Sequence, residues 1–190
     1  RNTAYCPMKR YERDRIVPTE NDQRWRQQLV HGYVHDPTAA LLGGIAGNAG
    51  VFTNAEDLAV LFQMLMDGGV YGGQRFLNEK TVAHFISNTH GNHRGLGFDR
   101  PNEKYRAAYA EQASPETFGH TGFTGTCVWA DPNSDLVYVF LSNRLYPDAS
   151  NWKLFSNKIR ERIHEVVYRS FNSYQFYIPE LPDWTMPVSS

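Results

Sequence analysis

The chain has little that would fix its partners at first sight. Its 19 Lys and Arg are nearly balanced by 20 Asp and Glu, for a net charge of -1. It therefore lacks the electrostatic footprint of a protein that binds nucleic acid or an anionic membrane. No apolar run approaches the roughly 20 residues that a membrane-spanning helix needs. The only two cysteines, Cys6 and Cys127, stand far apart and in no CxxC pair, which excludes the usual cysteine metal and redox motifs. Two buried thiols are the plainer reading, with a Cys6–Cys127 bridge as the alternative, and the compartment stays open on this ground. The opening "RNTAYCPMKRYERD" has neither an initiator Met nor a leader pattern. It reads as a cut made inside a larger protein.

What is present is enough for a core. Apolar residues make up 41% and aromatics 14% of the 190 residues, so the chain suits one domain or one large piece of a bigger one. Residues 1–33 are polar, Arg-rich and without clean periodicity, an irregular arm with a short helix expected at "ENDQRWRQQLV". "HDPTAALLGGIAGNAGVF" follows, with Gly43, Gly44, Gly47 and Gly50. No Lys-Ser/Thr comes after it and no apolar strand before it, so a phosphate loop is rejected. A tight backbone crossing, where small residues let segments approach, is the better reading.

"TNAE" has the form of a capping box, with Thr53 on the first turn and Glu56 reaching back. Leu58, Leu61, Phe62, Leu65 and Met66 then recur at helical spacing until Gly68-Gly69 ends the run. A second helix is expected from about Asn78, turning Val82, Phe85 and Ile86 inward. From Gly95 the period changes. "GLGF" suggests a short strand, while "TFGHTGFTGTCVWADP" and "DLVYVFLSN" suggest two strands joined by the turn "DPNSD". A long amphipathic helix is expected from about Ala149 to Phe171. Trp152, Phe155, Ile159, Ile163, Val166 and Val167 would line its inner face, and Lys158, Arg160, Glu161 and Glu165 the outer. Residues 172–190, rich in Pro and aromatics, read as a surface tail after a domain of residues 1–171. The order gives an α+β fold, helices laid on an antiparallel sheet of two to three strands.

Several histidines invite a metal reading. His31 and His35 are four apart, and His90 and His93 form HxxH, yet neither pair has a third ligand at convincing spacing. No metal or cofactor is expected, and His35-Asp36 reads as an ordering element before the glycine crossing. Glu56 and Asp57 are first-turn acids, favourable at a helix N-terminus, rather than a glycosidase pair.

One constellation is more specific. "LLGGIAGNAGVFTNAEDLAVLFQMLMDGG", then "GLGF", then "FGHTGFTGTCVWADPNSDLVYVFLSNR" and a closing helix resembles the second half of the serine β-lactamase-like family. That family groups class C β-lactamases, penicillin-binding carboxypeptidases and related esterases. The resemblance implies a site of three elements: a Ser-x-x-Lys nucleophile, a Tyr-x-Asn or Ser-x-Asn loop, and a Lys-Thr-Gly or His-x-Gly strand. Only the third is carried over here, as His120, Thr121 and Gly122. Phe123 falls at the position whose backbone N–H completes the oxyanion hole. One such donor is worth roughly 3 kcal/mol to a tetrahedral intermediate.

The departures shape the expectation. No Tyr-x-Asn occurs, and the one Ser-x-x-Lys, "SNWK" at Ser150–Lys153, opens the final helix instead of preceding the His-Thr-Gly strand. Ser150 reads better as lying near a helix N-cap. The resemblance thus implies the C-terminal portion of a serine hydrolase, inactive alone, acting in the intact protein on a β-lactam, a D-amino-acid peptide or an ester. His in place of Lys tilts this toward esterase or peptidase chemistry. It further implies a bacterial periplasmic or envelope location, and packing against the missing half or against another copy. The rival reading is a non-catalytic binding or accessory module that keeps the fold, in one arrangement appended to a glycoside hydrolase.

Overall fold

The computed structural model describes residues 2–87, 91, 93–102 and 108–174, with side chains as far as Phe171. His90 and the expected tail beyond 174 lie outside the described residues. In chain order the elements are β1 (Ala4–Tyr5), β2 (Pro18–Asp22), β3 (Gln28–His31), α1 (Pro37–Leu41), β4 (Val51–Phe52), α2 (Ala55–Met66), β5 (Val70–Tyr71), β6 (Gln74–Arg75), α3 (Glu79–Ile86), β7 (Phe118–Thr121), β8 (Cys127–Asp131), β9 (Leu136–Phe140), α4 (Lys153–Ser156) and α5 (Ile159–Tyr174).

Period-two alternation in β8 sets the layers. Val128 and Ala130 join Phe62 and Leu65 of α2, Val82 of α3 and Phe118 in one core. Cys127 and Trp129 face the other way, with Tyr138 and, from α5, Val167. The antiparallel sheet β7-β8-β9 is thus covered by α2 and α3 on one face and by α5 on the other, the α+β arrangement expected. The remaining strands form three small antiparallel pairs, β1-β4, β2-β3 and β5-β6. Cys6 and Cys127 are not bonded to each other.

Several local expectations are corrected. "ENDQRWRQQLV" is a β-hairpin, not a helix. The Asp22 carboxylate accepts from the N–H groups of Arg24, Trp25 and Arg26 at 2.9–3.0 Å and folds the chain back on itself. The N-cap of α2 is Asn54, whose side chain accepts from the Asp57 N–H at 2.8 Å. Thr53 instead meets the Thr3 hydroxyl at 2.8 Å. Leu61 and Phe85, expected inward, are exposed. "GLGF" is a turn closed by Gly95 N–H to Phe98 O at 2.9 Å, and its Phe98 packs against Phe62 and Phe118. The expected single strand over 117–132 is two, β7 and β8, because Gly122 N–H donates to Thr126 O and Gly125 N–H to Gly122 O.

The closing helix is also broken. Lys158 takes a left-handed φ of 49° between α4 and α5. The face of α5 turned inward is Arg160, His164 and Tyr168, all buried, while Ile163 and Val166 are exposed. The glycine crossing is as expected: a Cβ on Gly50 would lie 2.5 Å from Gly44 O, and one on Gly44 would lie 2.8 Å from the Tyr33 ring.

Candidate functional site

His120 stands on β7 opposite Val128 of β8. The glycine before it has a structural reason: a Cβ on Gly119 would lie 2.1 Å from Val128 O. The one after it does too, since a Cβ on Gly122 would meet the Thr126 hydroxyl at 2.3 Å. Asp99 lies along the free side of β7. Its N–H donates to Gly119 O at 2.7 Å and its carbonyl accepts from Gly119 N–H at 3.0 Å. Arg100 fixes this segment by donating to the Ile86 and Pro115 carbonyls and to Glu116.

These bonds place a charged cluster around His120. The Asp99 carboxylate, 2% exposed, lies 3.3 Å from Arg94 Nη2, 3.9 Å from His120 Nε2 and 4.0 Å from His93 Nε2. Arg94 Nη1 is 3.1 Å from His120 Nε2, and His120 Nδ1 is 2.7 Å from the Thr121 carbonyl. A carbonyl can only accept and a guanidinium can only donate. The proton therefore sits on Nδ1, and Nε2 presents its lone pair to Arg94. The sequence reading missed Asp99 and Arg94. Their signal was the "GLGF" turn, whose flanking residues form the bridge Arg94–Asp99.

Thr121 ends β7, paired with Cys127. Phe123 lies in the following turn and is exposed. Among the described residues nothing accepts a hydrogen bond from its N–H. The His35 ring stacks on Phe123 with centroids 5.1 Å apart, and His35 Nε2 lies 3.4 Å from Glu20. Burial pulls the His35 imidazole below its ordinary value, with the Glu20 charge partly opposing. His120, Thr121, Gly122 and Phe123 are thus contiguous along one strand end.

The other candidates are not brought together. His31 bonds Arg13 and the Ile16 carbonyl, while Asp36 caps α1 through Ala39 N–H at 2.7 Å. Among the described residues no group of three or more metal-ligating side chains occurs. Ser150 lies near the N-cap of α4, Trp152, as expected, without capping it. Its hydroxyl donates to Asp148 at 2.8 Å, and the first turn of α4 is held instead by Asn151, which accepts from Lys153 N–H.

Comparison with known proteins shows the family. Residues 7–156 match the family model described as Beta-lactamase, and the chain belongs to that family, a β-lactamase-like hydrolase family. A Salmonella enteritidis PT4 protein provisionally named a D-alanyl-D-alanine carboxypeptidase is 34% identical over 171 residues, covering 83% of this chain and 40% of its own. A Salmonella gallinarum protein of the same name matches equally. The chain spans about two-fifths of the length of these relatives. Among solved structures, a β-lactamase from Mycobacterium bovis superposes with a TM-score of 0.51 at 23% identity, over 70% of this chain and 53% of that one. This is a likeness of fold.

Proposed function

We propose that the chain forms one wall of an acyl-transfer site in a serine hydrolase, whose nucleophile is contributed by a segment outside these 190 residues. The observation that carries the reading is His120 held in one tautomer at a strand end, beside a Phe123 N–H that donates to nothing among the described residues. In this reading the Phe123 N–H stabilises the oxyanion that forms as a serine attacks a carbonyl carbon. His120 guides the proton or holds an anionic group of the substrate, with Gly122 keeping the strand edge open to it. The chain alone is inactive, and the intact protein works in the cell envelope. The names of the Salmonella relatives favour a peptide ending in D-alanine over a β-lactam or ester.

The test uses the intact protein with a D-alanyl-D-alanine peptide, nitrocefin and a p-nitrophenyl ester. Peptide or ester turnover is expected, with His120→Ala lowering kcat/KM on the order of 10²-fold. Full activity of His120→Ala would remove the residue from the site. No turnover of any of the three would return the protein to the binding-module reading.

A further inference from the structure

Arg144 is a buried cation without a carboxylate. Its side chain follows β9, is 6% exposed, and forms no ion pair among the described residues. Its Nε donates to Phe123 O at 3.0 Å and its Nη1 to Ala149 O at 3.2 Å. The guanidinium carbon lies 4.5 Å from the ring centre of Phe123, 4.3 Å from that of Trp152 and 4.8 Å from that of Phe155. Carbonyl dipoles and ring faces offset part of the cost of burying the charge, but supply no opposite charge. Burial lowers its pKa, and the charge of another cation, Arg160, adds to that effect. Arg144 Nη2 is buried with no hydrogen-bond partner, and so is the Ser142 hydroxyl.

Both residues line the same open cleft, of about 310 Å³, with Asn143, Asn151, Lys153 and Asn157. No Asp or Glu lines it. Asn143 is already occupied, donating to Pro18 O and accepting from Leu145 N–H. Lys153 and Asn157 have no side-chain partner among the described residues. Four groups able to donate thus line the cleft with no carboxylate among them: Arg144 Nη2 and the Ser142 hydroxyl, both buried and unpartnered, and the Lys153 ammonium and Asn157 amide at its exposed rim. A buried cation left unpaired is strongly unfavourable unless an anion meets it, and a guanidinium edge matches a carboxylate or phosphate with two parallel bonds.

We infer that the cleft between the end of β9 and α4 is a binding site for a small oxyanion, a carboxylate or a phosphate, held by Arg144 and Ser142 at its floor and by Lys153 and Asn157 at its rim. Nothing in this rests on the hydrolase reading; of these residues only Arg144 touches the proposed acyl-transfer wall, through the Phe123 carbonyl and ring. The experiment is calorimetric titration of the chain with sodium phosphate, and separately with sodium acetate, against sodium chloride at equal ionic strength. The Arg144 Nε–H resonance is followed in parallel. Saturable one-to-one binding of at least one oxyanion is expected, with a shift of that resonance. The tighter of the two anions distinguishes a phosphate site from a carboxylate site. Because Arg144 also holds the fold, the deciding variant is Lys153→Ala/Asn157→Ala on the exposed rim, expected to weaken binding about tenfold or more with an unchanged unfolding midpoint. Heats identical to chloride, binding unchanged in the double variant, or binding that leaves the Arg144 resonance unmoved would each overturn the inference.

Discussion

Replacing Asp99 by Asn keeps the side chain's size and removes the charge that Arg94 faces at 3.3 Å. Arg94 then loses that ion pair, and its hold on the His120 lone pair weakens. Asp99 is a positioning residue in this arrangement. Under the proposed function, Asp99→Asn in the intact protein is expected to lower kcat on the order of tenfold while KM moves little, and the His120 ring nitrogens should lose their single-tautomer signature by NMR. An unchanged tautomer together with a lowered kcat would assign Asp99 some other role. His164 offers a second test, on stability. It is 1% exposed, stacks on Tyr138 at 4.2 Å, and its Nδ1 accepts from Ala110 N–H at 3.1 Å. Burial lowers its pKa from 6.5 to about 4. Between those values the unfolded chain binds the extra proton and the folded chain does not. Stability therefore falls as pH drops from 6.5 toward 4, by up to about 3 kcal/mol. Urea unfolding across that range should show the slope, and His164→Gln, which keeps an acceptor for Ala110, should flatten it.

At the scale of elements, the β7–β8 pairing depends on a missing side chain. Gly119→Ala would drive a Cβ into the Val128 carbonyl. It should destabilise by about 3 kcal/mol or more, read as a lowered midpoint in thermal unfolding. Lys158 is the opposite case, a β-carbon held at φ 49°. Lys158→Gly should raise stability by about 1 kcal/mol. A loss of stability there would mean that the Lys side chain contributes more than its backbone costs. The same elements show what the sequence made legible. The alternation of β8 and β9 and the glycines around His120 were readable, because period two and absent side chains leave direct marks. Asp99 was not, since a bridge of one residue has no period. The inner face of α5 was misread because Arg160, His164 and Tyr168 count as polar, although their bodies are buried. Tyr168 donates to the buried Asp131 at 2.6 Å and Arg160 to Thr126 O at 3.1 Å, partners that lie on β8 or just before it and that hydropathy cannot see.

For the whole molecule, the apolar side chains left outside form the main consequence of its size. Leu41, Leu42, Ile45 and Val51 are 78%, 65%, 57% and 52% exposed, close together in a segment that also carries the glycine crossing. Exposed apolar side chains concentrated in one stretch favour association. The chain alone is expected to elute above its 21.8 kDa mass in gel filtration, and Leu42→Glu/Ile45→Glu should shift it toward the monomer. A monodisperse, heat-resistant monomer would count against the proposal that another segment or copy covers this face. The N-terminal hairpin is bound into the molecule from a distance. Asn143 holds the Pro18 carbonyl, and the ring of His35, just beyond that hairpin, rests on Phe123. The arm that looked shapeless in the sequence is thus a buttress for the loop after His120. Loosening it should register first as faster amide deuterium uptake at Gly122 and Gly125, whose N–H groups close the turn onto Thr126 O and Gly122 O, far along the chain from the change itself.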